Sequence, residues 1–208
     1  MDYKRYKRLR LLVSKVNKQR KKQAQKIDIL CNDFIAAQKD FIKRLATISF
    51  TANFYESIVG SAELNGLLYT AGKLIQDEIA DSNVAFFLRQ AEGFKLHMSE
   101  SDDAKSHEQQ HLENCFTAEL VDNICKSNKL CTLNSLFAMG LEGNLGQLNK
   151  ISAVTIPLSH FGSSLGFILI YRPVQNKLTE SELNNVCAVT PGLSQAIASH
   201  GALCHLAD

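Results

Sequence analysis

The segment ISAVTIPLSHFGSSLGFILIYR, residues 151 to 172, decides the fold of this chain. Its first half alternates apolar with small or polar residues, and its second half contains the apolar run Phe167 to Tyr171, so each half predicts a strand. Between them, Ser159 to Ser164 has the composition of a tight turn in which Gly162 can adopt a positive φ. Pro157 cannot donate to a ladder and is expected at the strand's end or at a bulge. The segment therefore predicts a buried β-hairpin that the rest of the chain covers.

Two motifs of this hairpin, Ile156-Pro157-Leu158 and Leu165-Gly166-Phe167-Ile168-Leu169, resemble the closing strands of GAF domains. The resemblance extends over about residues 61 to 200, where the predicted elements follow the order found in that family. It implies an α+β fold in which an antiparallel sheet is flanked by helices. It also implies a sensory or regulatory role, although the order of the elements says little about a ligand.

Length and composition predict one full hydrophobic core, because the chain has 208 residues of which 45% are hydrophobic. No apolar run approaches the roughly 20 residues that a membrane span needs, and the basic N-terminus lacks the apolar region of a signal peptide. The six cysteines contain no C-x-x-C pair, which favours reduced thiols. We therefore expect a cytoplasmic protein without a membrane span.

The sequence predicts two domains, a basic coiled-coil helix over residues 1 to 59 and a GAF-like domain over residues 60 to 208. The first contains no proline and no glycine, and its apolar stripe could pack on a second copy, on the C-terminal helix or on another partner. A parallel homodimer through residues 27 to 59 is favoured. The apolar residues recur at steps of three and four, as in a coiled-coil seam: Leu9, Val13, Val16, Ile27, Leu30, Phe34, Ala37, Phe41, Leu45, Ile48, Ala52, Tyr55 and Val59.

Charge is distributed unevenly, since residues 1 to 26 carry a net charge of +10 and the remainder carries −8. The basic residues between 4 and 26 have two interpretations. They could bind an anionic partner, either nucleic acid or a membrane surface, without specificity, or they could form a solvated helical face. No recognisable DNA-binding motif accompanies them.

The remaining segments predict, in chain order, a helix capped by Ser61, strands Val84–Arg89 and Phe94–Met98, an exposed loop Ser99–Gln110, a helix His111–Ser127, a segment Leu130–Met139, the hairpin and a last helix. The segment Leu130–Met139 could be strand or helix, and strand is favoured. Thr179 and Glu182 form a capping box that opens the last helix. Pro191 is expected to kink or split that helix.

A ligand site is predicted between the sheet and the segment Ser99 to Lys150, on the face away from the long N-terminal and C-terminal helices, as the resemblance implies. This longest insertion mixes polar loops with a short helix, a composition typical of a pocket wall. Arg89 could hold an anionic ligand with two hydrogen bonds, or it could be a surface arginine at a strand's end. The sequence indicates no particular cofactor. The residues expected to reach inward are Phe87, Arg89, His97, Phe116, Phe137 and Thr155.

The sequence contains residues of the types that bind metals and residues of the types that catalyse reactions, but in neither case is the pattern complete. His107, His111 and Cys115 would share one face of a helix and suit zinc, but they are only three ligands, so no metal site is predicted. A few GAF-fold proteins reduce methionine sulfoxide with loop cysteines, and Cys115, Cys125 and Cys131 could meet in space. Their pattern does not match that subfamily, and buried thiols are common in cores. No catalytic residue is therefore predicted.

The function predicted from the sequence is a dimeric, non-catalytic sensory or regulatory module that binds a small molecule in cytoplasmic signal transduction. The alternative is a scaffolding protein with a vestigial pocket. In that case the basic coiled coil would bind a protein partner or an anionic surface.

Overall fold

The computed structural model describes residues 2–61, 63–90, 93–98, 112–143 and 145–204. Single 3₁₀ turns lie at Leu112–Cys115 and Val174–Asn176. The predicted loop Ser99–Gln110 lies outside the described residues. The helices are α1 (Asp2–Ile58), α2 (Leu64–Glu78), α3 (Ala118–Ser127), α4 (Leu133–Ala138), α5 (Leu145–Leu148) and α6 (Glu180–Cys204), and the strands are β1 (Asn83–Gln90), β2 (Gly93–Met98), β3 (Cys131–Thr132), β4 (Ile151–His160) and β5 (Ser163–Pro173).

The chain divides into two compact units, one ending at Ala46 and one beginning at Thr47. The second unit contains the sheet and also the last turns of α1. From those turns Phe54 and Ile58 are buried in the core of the second unit. The domain boundary between residues 59 and 60 stays a prediction. The contacts within the chain divide the chain earlier along α1, between Ala46 and Thr47.

The five strands form one antiparallel sheet in the order β2-β1-β5-β4-β3. Directly opposite residues of neighbouring strands point to the same side, so the register defines two faces. Phe86, Ile168 and Ile156 lie on one face, which packs against α2, α6 and the end of α1; we call it the helix face. Phe87 and Phe167 lie on the other, the loop face, which is covered mainly by α3, α4 and α5. The predicted α+β architecture is confirmed.

The predicted hairpin is formed by β4 and β5, which a two-residue turn of Phe161 and Gly162 connects. Both residues have positive φ, 47° and 81°, as the common hairpin turn that follows the right-handed strand twist requires. Phe161 is 96% exposed at the tip. The ladder is irregular between Leu158 and Ser159, so the irregularity begins one residue after Pro157.

Two segments on the loop face differ from the prediction. The strand expected over Leu130–Met139 is limited to Cys131–Thr132, and α4 follows because Leu133, Leu136 and Phe137, spaced as on one face of a helix, pack on the loop-face cluster. The helix expected over His111–Ser127 begins at Ala118 instead. It starts there because the side chain of Thr117 accepts a hydrogen bond of 3.2 Å from the backbone N–H of Leu120 and so caps α3.

The helix ends also test the prediction. Ser61 does not cap α2, which begins at Leu64 after Glu63 and has no side-chain cap. The capping box of α6 is confirmed, because Glu182 accepts a hydrogen bond of 2.8 Å from the N–H of Thr179 and the hydroxyl of Thr179 accepts one of 3.3 Å from the N–H of Glu182. Pro191 does not split α6, which runs through it as one helix. None of the helices in the described part of the chain has the length and apolarity that crossing a membrane requires.

Candidate functional site

Three phenylalanine rings stack on the loop face at the predicted ligand site. Phe87 of β1 lies opposite Phe167 of β5 with the ring centroids 4.8 Å apart, and Phe116 stacks on Phe87 at 5.1 Å. Phe87 and Phe167 are buried and Phe116 is half-buried. The stack brings two of the predicted site residues, Phe87 and Phe116, into direct contact and fills the centre of this face with aromatic rings.

Arg89 lies near the exposed end of β1, beside this stack. Its guanidinium is 3.8 Å from a carboxylate oxygen of Asp122 and 5.9 Å from the centre of the Phe94 ring. Asp122 is held more closely by Lys126, at 2.6 Å, and the hydrogen bond from Lys126 keeps the pKa of Asp122 below its ordinary value. Arg89 is therefore only loosely paired, and an anionic ligand would compete with a single carboxylate for it.

Thr155 and Phe137 also lie on the loop-face side. Thr155 is fully buried in β4 between Cys131 and Leu169, and its hydroxyl has no hydrogen-bond partner within the described residues. Phe137 of α4 is half-buried at the edge of the same hydrophobic cluster. A buried hydroxyl without a partner costs free energy, so a polar ligand atom that reached Thr155 would gain a hydrogen bond there.

His97 lies on the opposite side of the sheet from the other predicted residues. It pairs with Phe86 in the ladder of β1 and β2, and Phe86 belongs to the helix face. Its Nε2 is buried without a partner in the described part of the chain. Burial lowers the pKa of His97, and the charge of Lys95 lowers it further. The structure brings five of the six predicted residues to one face and leaves His97 on the other.

A buried carboxylate on the loop face was missed by the sequence analysis. The hydroxyl of Tyr171 donates one hydrogen bond that the two carboxylate oxygens of Glu113 share, at distances of 2.9 and 2.8 Å, and both residues are buried. Burial raises the pKa of Tyr171, and the charge and hydrogen bond of Glu113 raise it further. The signal in the sequence was a tyrosine at the end of an otherwise aliphatic strand, which needs a partner for its hydroxyl when buried.

The thiols near this face differ in burial. Cys125 and Cys131 are buried and Cys115 is half-buried, and burial raises the pKa of Cys125. The thiol of Cys131 donates to the carbonyl of Lys129 at 3.3 Å. His107 and His111 lie outside the described residues, and among the described residues no group of three or more His, Cys, Asp or Glu could hold a metal ion.

An open groove of about 340 Å³ lies on the helix-face side of the second unit. Its walls come from the end of α1, the start of α2 and the second half of α6, and include Tyr55, Val59, Gly192 and Ala196. This concavity is separate from the aromatic stack, because its lining shares no residue with the loop-face cluster.

Comparison with known structures identifies the architecture. Neither a protein-family model nor a curated protein sequence matches the chain. The GAF domain of an Acinetobacter phosphoenolpyruvate-protein phosphotransferase superposes with a TM-score of 0.56 at 13% identity, covering 77% of this chain and 98% of that one. The fold is that of a GAF domain.

Two further structures with this fold come from proteins of different kinds. A methyl-accepting chemotaxis protein, residues 122 to 287, matches with a TM-score of 0.51 at 12% identity, covering 74% of this chain and 98% of that one. The fRMsr protein of Staphylococcus aureus, solved in complex with its substrate, matches with a TM-score of 0.51 at 11% identity, covering 74% and 94%. At these low sequence identities the similarity shows the fold alone.

Proposed function

We propose that this chain is a non-catalytic regulatory module of GAF type that forms a parallel homodimer through residues 27 to 59 and acts in cytoplasmic signal transduction. The observation that carries the proposal is that the apolar seam of α1 is exposed in the single chain. A contiguous apolar face of this length is unusual on a soluble monomer. A second copy can cover it with the same residues. The large seam residues that are about half exposed or more are Ile27, Leu30, Phe34, Phe41, Leu45 and Ile48.

The dimer is tested with two neighbouring apolar residues that differ in their place on the helix. Leu30 is a seam residue, 66% exposed, and Ile29 is 59% exposed but points away from the seam. Leu30→Glu should weaken dimerisation by more than about tenfold, because each copy loses a buried leucine worth about 2 kcal/mol or more. Ile29→Glu should leave the dimer intact. Sedimentation equilibrium measures both, and equal effects of the two variants would contradict the seam.

The regulatory role includes a small-molecule site on the loop face, at Phe87, Arg89, Phe116, Phe137 and Thr155. The loosely paired guanidinium of Arg89 favours an anionic ligand, and the hydroxyl of Thr155 offers a polar contact. Since the aromatic stack occupies the centre of this face, a ligand would have to displace Phe116, the half-buried ring.

A tryptophan at position 137 tests this site, because the chain contains no tryptophan of its own. Titration of the Phe137→Trp variant with small carboxylates and phosphate should change its fluorescence and raise its melting temperature. Arg89→Gln should abolish both responses, while Lys95→Gln, at an exposed position of β2 whose side chain lies on the other side of the sheet, should retain them. A response that survives Arg89→Gln would remove Arg89 from the site.

The second candidate function is a scaffold whose pocket is vestigial. The stacking of Phe87, Phe116 and Phe167 supports it, since three packed rings leave the site filled by the protein itself. In that case no small molecule would shift the melting temperature. The basic residues between 4 and 26 would then bind a protein partner or an anionic surface, and binding to anionic vesicles should fall steeply as salt is raised.

A further inference from the structure

The groove on the helix-face side has a floor that belongs to the hydrophobic core. Ile58 and Leu67 line it and are almost completely buried. One wall is the ring of Tyr55, which packs directly on Gly192 of α6: a Cβ at position 192 would overlap the ring. The hydroxyl of Tyr55 donates to the carbonyl of Ala188 at 3.4 Å. Gly192 therefore allows Tyr55 to lie against α6, and the space beside the ring stays open.

Among the described residues, the lining of the groove contains no Lys, Arg, Asp or Glu, while the imidazole of His200 lies at its margin. Its centre is apolar, and Ser61, Gln195 and Ser199 complete the polar margin. An ionic ligand would find no carboxylate, ammonium or guanidinium group in the described lining to bind it. Two copies of the same chain, in contrast, can meet here without like-charged carboxylates or ammonium groups facing each other, and an apolar centre with a polar rim is the usual composition of a protein interface.

Val59 is the apolar side chain best placed to fill such a groove in a second copy. It is 82% exposed, and it follows Ile48, Ala52 and Tyr55 at the steps of four, three and four that define the seam. Tyr55 and Val59 are at once the last seam residues and walls of the groove. A partner helix that follows the seam therefore arrives at the groove at the height of its own Val59.

We propose that the groove is the receptor for Val59 of a second copy, so that Val59 and the groove end the dimer interface with a reciprocal knob-and-hole contact. The inference rests on the proposed dimer and names the contact that fixes its register. In an isologous interface each copy supplies both halves of the contact. Val59 of one copy enters between Tyr55 and Ala196 of the other, and the same contact is repeated across the two-fold axis.

Substitution of Val59 in the full-length chain tests the contact. Val59→Arg should raise the dimer dissociation constant at least about tenfold, because the described lining of the groove offers no carboxylate to pair with the guanidinium, while the circular dichroism spectrum stays unchanged. The matched control is Tyr69→Arg, at an exposed position of α2 that does not line the groove, and it should leave the constant unchanged. An unaltered constant for Val59→Arg would overturn the proposal.

A second measurement reports the burial directly. Val59→Trp introduces the only tryptophan of the chain, and its emission should be blue-shifted above the dissociation constant and move to longer wavelength on dilution. An emission maximum that does not change with dilution, or native mass spectra that show a small molecule retained by the wild type and lost from Val59→Trp, would overturn the contact. If Leu30→Glu dissociates the dimer and Val59→Arg does not, the groove contact is rejected and the dimer through the seam is retained. If Val59→Arg dissociates the dimer and Leu30→Glu does not, the seam is rejected and the groove contact is retained.

Discussion

Arg172 and Glu182 form a nearly buried ion pair, with Nη2 of Arg172 2.8 Å from a carboxylate oxygen of Glu182. The same guanidinium donates to the carbonyl of Lys177 at 2.7 Å and to that of Ala80 at 3.2 Å. Glu182 in turn accepts hydrogen bonds from the N–H and the hydroxyl of Thr179. The pair therefore joins the end of β5 to the start of α6 and to the chain that follows α2.

Glu182→Gln should destabilise the protein by about 3 kcal/mol, at the low end of the range for a broken buried pair because Glu182 is 22% exposed. Glutamine can still accept from Thr179, so the loss reports the charge. Glu180→Gln, at an exposed position in the first turn of α6, is the control and should cost only a few tenths of a kcal/mol. Urea denaturation measures both, and equal losses would show that the pair contributes nothing specific.

The same carboxylate predicts a loss of stability in acid. Burial opposes its ionisation, but the hydrogen bonds from Thr179 and Arg172 hold the pKa of Glu182 below its ordinary value. A lowered pKa in the folded state means that the stabilisation is complete above the ordinary pKa and is lost as the pH falls towards the folded value. The wild type should therefore lose more stability than Glu182→Gln between neutral and acidic pH, as followed by melting temperature.

Tyr171→Phe should destabilise the protein by about 1–3 kcal/mol, because the carboxylate of Glu113 stays buried and loses the hydrogen bond from the hydroxyl of Tyr171. Tyr69→Phe, at an exposed position, should be neutral. The raised pKa of Tyr171 also means that its stabilisation is complete below the ordinary tyrosine pKa and declines as the pH rises beyond it. If the variant and the wild type lose stability equally at alkaline pH, the hydrogen bond to Glu113 does not form in solution.

Two glycines should respond to alanine in opposite directions. Gly166 has a φ of +143°, and a Cβ there would overlap the backbone carbonyl of Phe87, so Gly166→Ala should prevent the close pairing of β1 and β5 and unfold much of the protein. Gly66 lies in α2 with open space around the position of a Cβ. Gly66→Ala should stabilise the protein by about 0.5–1 kcal/mol. Thermal melts of both variants test whether the close approach of β1 and β5 requires a glycine at position 166.

The thiols should differ widely in reactivity. Cys31 is exposed, whereas Cys125 and Cys131 are buried, and burial raises the pKa of Cys125. Alkylation of the native protein should modify Cys31 first and the two buried thiols at least about 100-fold more slowly, since they react only after local opening. Mass spectrometry of timed samples gives the order. Rapid modification of Cys125 would show that this thiol is more accessible in solution than its burial indicates.

The sequence predicts the elements with a strong local signal and fails where packing partners decide. The capping box of Thr179 and Glu182 is local, and it is confirmed. At the end of α1 the sequence offers two apolar stripes, one through Tyr55 and Val59 and one through Phe54 and Ile58. Local chemistry cannot tell which of them faces the core, and the structure buries the second.

In the candidate site, His97 shows the same limit of prediction from local sequence. A shift of one position along a strand moves a side chain to the other face. In β2 the apolar residues Phe94, Leu96 and Met98 alternate with Lys95 and His97. That alternation already places His97 and Phe94 on opposite faces of the sheet. Only the pairing of β2 with β1 shows which of these two faces also carries Phe87. For the same reason the buried pair of Glu113 and Tyr171 could not be predicted, because it joins segments distant in sequence.

The two-residue turn of the hairpin has a consequence for folding. Strand β5 is buried on both faces from Gly166 to Arg172, with Ile168 on the helix face and Phe167 on the loop face. If β5 slipped by one residue against β4, apolar side chains would still meet apolar surroundings on either side, so hydrophobic alternation gives this strand little protection against misalignment. The length of the Phe161-Gly162 turn has to supply that protection. An additional residue at this tip would permit several pairings of the central strands, and the chain would then fold into a mixture of sheets.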